Sequence, residues 1–154
     1  MSIQAALKAC SLFKDFSETG LILVSKVSQE RSFPADSPIF VENMVGESLF
    51  IIKTGIVRLC IKSSTGQDVV MDKITMGESF GELGLLIGGQ RLVTATADTD
   101  CELIEIPRRD FAKLQKQKPQ TCLKLMLAVV NQFGKKVGAA KDYLKPLLLS
   151  QIEP

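Results

Sequence analysis

One stretch decides the fold of this chain, Phe80-Gly81-Glu82-Leu83-Gly84-Leu85-Leu86-Ile87-Gly88-Gly89-Gln90-Arg91. Its glycines let a backbone come close to a ligand and leave amide N–H groups unobstructed. The run from Leu83 to Ile87 has room for a helix of about one turn. The free N–H groups at the start of such a turn would suit an anion. Arg91 adds a guanidinium that can hold phosphate oxygens in a two-pronged way.

Glu82 carries a different chemistry within the same stretch. A carboxylate repels phosphate, but it can accept hydrogen bonds from the hydroxyl groups of a sugar. A carboxylate for a ribose, with an arginine and amides for a phosphate, indicates a nucleotide. The alternative interpretation is a surface turn in which Glu82 and Arg91 form a structural ion pair.

The run FGELGLLIGGQR at residues 80–91 resembles the phosphate-binding cassette of cyclic-nucleotide-binding domains. These domains occur in bacterial catabolite-activator-type regulators, in protein kinase A regulatory subunits and in gated ion channels. Residues 49–57 resemble the strand–glycine–strand signature of the family, and residues 101–106 resemble its last barrel strand. The resemblance extends over roughly residues 10 to 140. It implies that residues 1–154 form a single cyclic-nucleotide-binding domain.

The resemblance also implies a ligand site. Its expected members are Gly81, Glu82, Leu83, Gly84, Arg91, Leu92, Leu59 and Met71. Glu82 would accept the ribose 2′-hydroxyl, and Arg91 would bind the cyclic phosphate with help from the N–H groups of Gly84 and Leu92.

The remaining expected members complete the ribose side and the base pocket. Gly81 and Leu83 would line the ribose. Leu59 and Met71, on facing strands, would form the floor under the base. An ordinary place in the barrel core is an equally good interpretation of Leu59 and Met71, and the two interpretations are compatible.

Several positions depart from the family pattern. Asn43-Met44 stands where Gly-Asp is usual, although Asn43 can still adopt a positive φ. Gln90 replaces a frequent proline, and Leu92 replaces a small residue, serine or threonine. The positions of an arginine and a threonine that reach the ligand in bacterial regulators correspond here to Gln132 and Lys136. We interpret the pairs Lys135-Lys136 and Arg108-Arg109 as ordinary solvated charges with no phosphate role.

The composition is that of a globular protein of one domain. Hydrophobic residues make up 45% and charged residues 23%, and the net charge of +2 gives no reason to expect nucleic acid or an anionic membrane as partner. No secretory signal and no stretch of transmembrane length is present. The absence of histidine removes His-based triads and His-ligated metal sites. Cys60, Cys101 and Cys122 lie among apolar residues, which favours buried free thiols and a reducing cytoplasm.

Short strands at regular spacing predict a mainly β fold with flanking helices, either a barrel or a jelly roll, and the family resemblance implies a jelly-roll (double-stranded β-helix) barrel. We expect helices over residues 3–27, the barrel over about 28–107 and C-terminal helices over about 108–145. The predicted strands are Gln29–Phe33, Pro38–Val41, Ser48–Lys53, Ile56–Lys62, Asp68–Ile74, Leu92–Ala97 and Glu102–Ile106. One C-terminal helix should run from Arg108 to Gln117. A second should start at Pro119 and run to about Tyr143, with Pro146 stopping or kinking it.

The family resemblance implies a cytoplasmic sensor that binds cAMP, with cGMP or a non-nucleotide anion as the other candidate ligands, and that is neither an enzyme nor dependent on a cofactor. Only about ten residues follow Tyr143, too few for a helix-turn-helix, so we expect no direct DNA binding and an effector protein as the partner. The apolar stripe from Cys122 to Val137 either packs on the barrel or forms a homodimer seam. A degenerate fold that acts as a ligand-free interaction scaffold is the main alternative. A cupin-type enzyme would need a metal, usually on histidines, which this chain lacks.

Overall fold

A computed structural model describes residues 2–86 and 88–152 of the chain. The strands are β1 Gln29–Phe33, β2 Pro38–Phe40, β3 Ser48–Thr54, β4 Val57–Lys62, β5 Asp68–Ile74, β6 Ser79–Phe80, β7 Thr94–Ala97 and β8 Cys101–Pro107. The helices are α1 Ile3–Ala9, α2 Glu18–Lys26, α3 Glu82–Leu86, α4 Arg108–Gln117, α5 Pro119–Ala139 and α6 Lys141–Ile152, with a 3-10 turn at Ser11–Phe13.

The strands form two four-stranded antiparallel sheets, ordered β1-β8-β3-β6 and β2-β7-β4-β5. This arrangement, with helices at both ends of the chain, confirms the predicted mainly β barrel with flanking helices. Alternation along β3 shows how the layers are divided. Leu49 and Ile51 pack under the helices. Phe50 and Ile52 face the other way, into the space between the two sheets.

Most predicted element bounds agree with the structure to within about two residues. The exception among the strands is β6, which was not among the predicted strands and which pairs Phe80 with Phe50 and Ser79 with Ile51. Two residues are too few to show a period, so the alternation rule cannot detect such a strand. This short strand matters because it leads directly into the glycine-rich stretch.

The C-terminal helices differ from the prediction. The second helix ends at Ala139 rather than near Tyr143, and the Ala140 amide closes the turn on the Lys136 and Val137 carbonyls. Pro146 was predicted to stop or kink a helix, but it lies inside α6. Gly138, in the last turn of α5, lowers the helix propensity where the break occurs.

The predicted stripe on α5 is divided between two environments. Cys122, Leu125 and Val129 are buried against the barrel, whereas Phe133 and Val137 are exposed. All four cysteines are buried and free, as we predicted for three of them. Among the described residues, no helix combines the length and the hydropathy needed to cross a bilayer.

Candidate functional site

The glycine-rich stretch forms one wall of a cavity of about 290 Å³. The other walls come from the sheet that contains β4 and β5 and from helix α5. The lining includes Phe40, Gly46, Leu59, Asp72, Ser79, Gly81, Glu82, Gly84, Arg91, Leu92 and Lys136. Carboxylate, guanidinium and apolar groups therefore face one space, as a ligand with a charged end and an apolar end requires.

Arg91 lies at the centre of this wall and is only 7% exposed. Its Nη1 donates to the Gly81 carbonyl at 3.1 Å and its Nη2 to the Ser48 carbonyl at 2.9 Å. The guanidinium carbon lies 4.0 Å from the centre of the Phe40 ring. Nε is buried and has no hydrogen-bond partner among the described residues. Burial lowers the pKa of Arg91 below its ordinary value, against the opposing fields of Glu105 and Glu82.

No carboxylate within the described residues lies at ion-pair distance from the Arg91 guanidinium. Its positive charge is therefore held by neutral carbonyls and a ring face alone. A buried charge without a counter-charge is unfavourable unless something else supplies one. The alternative of a structural Glu82–Arg91 ion pair is not what the structure contains.

Small residues and backbone pairing hold this arginine in place. The Asn43 amide donates to the Arg91 carbonyl at 2.8 Å, and the Arg91 amide donates to the Met44 carbonyl at 2.7 Å. Asn43 takes a φ of 71°, the positive value that the sequence predicted for it. A Cβ at Gly46 would overlap the Arg91 side chain, and one at Gly84 would lie 2.7 Å from Nη1. Both glycines are needed for the guanidinium to fit.

Glu82 opens helix α3 and has a different set of contacts. The Ser79 hydroxyl donates to its Oε1 at 3.0 Å, and Lys136 Nζ lies 3.9 Å from the same oxygen. The buried Cys10 thiol lies within its electrostatic reach. Burial mainly, with the Glu82 charge as a minor cause, raises the pKa of Cys10 to about 11. Glu82 keeps its acceptor capacity at the cavity, where a hydroxyl group of a ligand can donate to it.

The structure brings most of the expected site residues together. Gly81, with a φ of 78°, Gly84 and Leu59 line the cavity, as does Leu92, which is 72% exposed. We expected the Gly84 amide to be a free donor for the phosphate, but it already donates to the Gly81 carbonyl at 3.1 Å. The helix predicted over residues 83–87 is α3. Ile87 and the side chain of Leu83 lie outside the described residues.

Met71 is placed differently from the expectation. It is 59% exposed and does not line the cavity formed by the described residues. The cause is a bulge between β4 and β5, where Leu59 pairs with Asp72 and Cys60 pairs with Val70. The extra residue on β5 shifts the register, so that Asp72 rather than Met71 lies opposite Leu59.

Two charged residues that sequence reasoning interpreted as solvated lie at the site. Lys136 lines the cavity and approaches Glu82. The Arg108 guanidinium lies against Gly88, where a Cβ would overlap its Nη1. The correspondence of position 136 with a ligand-reaching position in bacterial regulators was the available signal for Lys136. Because Lys136 is far from Glu82 along the chain, no local sequence pattern indicated their contact.

Comparison with known proteins assigns this fold and site to a class. The family described as "Cyclic nucleotide-binding domain" matches residues 30–118, more than half of the chain. The chain therefore belongs to the cyclic nucleotide-binding domain family, and the resemblance seen in the sequence is confirmed.

Particular relatives refine this assignment. The chain is 32% identical over 113 residues to the cyclic AMP receptor protein of Thermus thermophilus. The matched region covers 73% of this chain and 52% of that protein. The crystal structure of the Thermus thermophilus catabolite activator protein superposes with a TM-score of 0.75 at 28% identity, covering 88% of this chain and 63% of the other. The regulatory domain of Toxoplasma gondii PKA, crystallised with cAMP, gives a TM-score of 0.66 at 28% identity, covering 73% and 43%. The chain spans about half the length of the curated bacterial relatives it matches.

Proposed function

We propose that this chain is a sensor that binds a cyclic purine nucleotide, with cAMP preferred, in the cavity beside Arg91. The single observation that supports this most is the Arg91 guanidinium, which is buried and donates only to carbonyls within the described residues. A cyclic phosphate carries the negative charge that this position lacks. Charge-assisted hydrogen bonds to such an anion are roughly twice as strong as neutral ones.

The other lining groups fit the remaining parts of the ligand. With the phosphate at Arg91, the ribose 2′-hydroxyl can donate to Glu82, whose carboxylate is oriented by the Ser79 hydroxyl. Leu59 and Leu92 offer apolar surface for the base. Lys136 adds a second positive charge at the cavity, which favours an anionic ligand.

Two considerations favour cAMP over cGMP. The Thermus thermophilus relative is named as a cyclic AMP receptor protein, and the Toxoplasma gondii neighbour was crystallised with cAMP. Leu92 also offers no acceptor for the guanine amino group. Burying that group without a partner costs ~1–3 kcal/mol, and adenine has no amino group at that edge.

We propose that the nucleotide signals through α5 to an effector protein and that the domain binds rather than catalyses, in the cytoplasm. Lys136 links α5 to Glu82, so a ribose that engages Glu82 changes the contact that holds this helix. A homodimer is a second route for the signal. The exposed side chains of Leu123, Val130 and Val137 recur every seven residues, as in a two-helix seam.

Calorimetric titration with cAMP and cGMP, accompanied by thermal melting, tests this proposal. A ligand that binds only the folded state stabilises it by ~2.7 kcal/mol at a hundredfold excess over its Kd, so the melting temperature should rise by several degrees. Linear 5′-AMP is the control, because it has the same base and ribose but an open phosphate. If millimolar cAMP causes no shift, the ligand-free scaffold becomes the better description.

A further inference from the structure

A second groove, of about 310 Å³, lies between the N-terminal connector and helix α5, outside the nucleotide cavity. Its two sides are the segment 11–16, which includes the 3-10 turn, and one face of α5. Its apolar lining comes from Leu12, Phe16, Leu127 and Ala128. Neither the nucleotide nor any step of the proposed sensing requires a groove at this place, so it needs an explanation of its own.

The polar lining of this groove is predominantly basic. Lys14, Lys124 and Lys135 line it, and Asp15 is the single carboxylate among its described lining residues. None of the three lysines belongs to an ion pair within the described part of the chain. Lys124 Nζ lies 5.5 Å from the centre of the Phe16 ring. A chain with a net charge of only +2 thus has three unpaired cations around one apolar depression.

We infer that this groove docks an acidic peptide segment of a partner protein, with apolar side chains of that segment in the depression and its carboxylates at the lysines. The mixed lining carries the inference. The apolar surface gives an interface its buried centre, and the charges at the edge select the partner and accelerate its encounter.

A small inorganic anion is a poorer occupant. It would leave the apolar surface of Phe16 and Leu127 uncovered, and the groove offers it flexible ammonium groups rather than an arginine fork. A bilayer is a poorer occupant as well, because lipid headgroups present a broad surface whereas this site is concave. Inorganic phosphate and anionic lipid vesicles distinguish these occupants from a peptide.

The position of Gln132 connects the groove with the nucleotide cavity. Gln132 lines the groove and also a small cavity of about 30 Å³ that it shares with Glu82 and Lys136. Lys135, in the groove, directly precedes Lys136, which lines the nucleotide cavity. Only this regulatory part of the inference rests on the proposed function: a nucleotide that alters the Glu82–Lys136 contact shifts the face of α5 that forms the groove.

The test uses the full chain and a short fluorescent peptide in which glutamates flank a central leucine and phenylalanine. Fluorescence anisotropy without nucleotide should show binding that weakens as salt increases. The double variant Lys124→Glu, Lys135→Glu should bind about tenfold or more weakly, because like charges then face the peptide. The matched control is Lys113→Glu, Lys116→Glu, which reverses two exposed lysines on α4 away from the groove.

Four results would overturn the docking site: no binding by the parent at low salt, equal binding by both double variants, displacement by millimolar inorganic phosphate, or preferential binding to vesicles of anionic lipid. Saturating cAMP should then change the peptide affinity of the parent by about fivefold or more. An unchanged affinity in protein that does bind cAMP would overturn the coupling alone. Peptide binding by protein that fails to bind cAMP would reject the proposed function and leave the groove intact.

Discussion

The contacts that hold Arg58 and Arg91 are of opposite kinds. Arg58 Nη1 lies 3.2 Å from Asp36 Oδ1 and 3.1 Å from Asp98 Oδ1, and Lys73 reaches Asp98 Oδ2 at 3.2 Å. The hydrogen bonds that Arg58 donates to Asp98 and Asp36 raise the pKa of Arg58. Arg91 has no such carboxylate among the described residues, and burial lowers its pKa.

The difference separates a cation that is satisfied within the protein from one that is not. Arg58 completes a partly exposed network, whose members gain little from one another in a high-dielectric environment. Arg91 is removed from water, and among the described residues it donates only to the carbonyls of Gly81 and Ser48 and lies over the Phe40 ring. We propose that the best partner of this charge is an anionic ligand, because a strongly perturbed charge that faces a cavity is typical of a functional site.

The largest expected effect comes from removing the unsatisfied charge. Arg91→Ala should all but abolish cAMP binding, because losing one side of a buried charge pair costs ~2–5 kcal/mol, roughly tens- to thousands-fold in affinity. Arg58→Ala is the matched control, and it should bind cAMP like the parent. Calorimetric titration of both variants makes the comparison.

Circular dichroism establishes that both variants remain folded. If Arg91→Ala binds as tightly as the parent, or if both substitutions weaken binding equally, then the distinction between the two arginines has no functional meaning.

The space around Arg91 should matter nearly as much as its charge. A Cβ at Gly46 would overlap the arginine side chain, whereas no atom lies within 4 Å of a Cβ at Gly134. Gly46→Ala should displace the guanidinium and lose about one charge-assisted hydrogen bond, ~1.5–3 kcal/mol or roughly ten- to a hundredfold in cAMP affinity.

Gly134→Ala provides the control on a helix surface. It should leave the affinity unchanged and raise the free energy of unfolding by up to ~1 kcal/mol, the difference in helix propensity between alanine and glycine. Unchanged cAMP affinity in Gly46→Ala would show that the arginine can take another route to its ligand.

The sequence predicted the barrel and the glycine-rich wall because both are local. Alternation within a strand and the spacing of Glu82 and Arg91 depend on residues that are close along the chain. The prediction for Met71 failed because a β-bulge changes the register without any sequence signal as clear as a turn. Lys136 was missed because its contact with Glu82 depends on how α5 packs back across the barrel.

The second groove was also beyond sequence reasoning. No sequence pattern groups Lys14 with Lys124, and only the packing of α5 against the N-terminal connector places them around one depression. The hydrophobic periodicity of single elements carries no information about long-range packing of this kind.

Leu92, the residue after Arg91, is exposed where Arg91 is buried. Leu92 lines the cavity from an exposed position and offers no hydrogen-bond acceptor. The parent should therefore bind cAMP roughly ten- to a hundredfold more tightly than cGMP, from the ~1–3 kcal/mol penalty for an unpartnered amino group.

Leu92→Thr should narrow that difference by supplying a hydroxyl, and competition titration of both nucleotides on both proteins measures it. The conservative control is Leu92→Val, which changes the size of the side chain without adding an acceptor. Equal or tighter cGMP binding by the parent would contradict this assignment of specificity.

The smallest effect is expected where the charges already satisfy one another. Hydrogen bonds from Lys73 and then from Arg58 lower the pKa of Asp98. A carboxyl group whose pKa is lowered in the folded state stabilises the fold at pH values above its ordinary pKa of about 3.9. This contribution disappears as the pH falls through the lower pKa of the folded state. In denaturant unfolding, the free energy of unfolding of the parent should therefore fall slightly below about pH 4. Asp98→Asn should not show this decrease. Asp15→Asn, which alters an exposed carboxyl outside the ion pairs of the described residues, is the control.

Neither substitution should change cAMP affinity between about pH 6 and 8, because no histidine titrates there and Arg91 stays charged. A cAMP affinity that followed Asp98 would mean that the two arginines share one electrostatic network, and the contrast between them would then be one of burial alone.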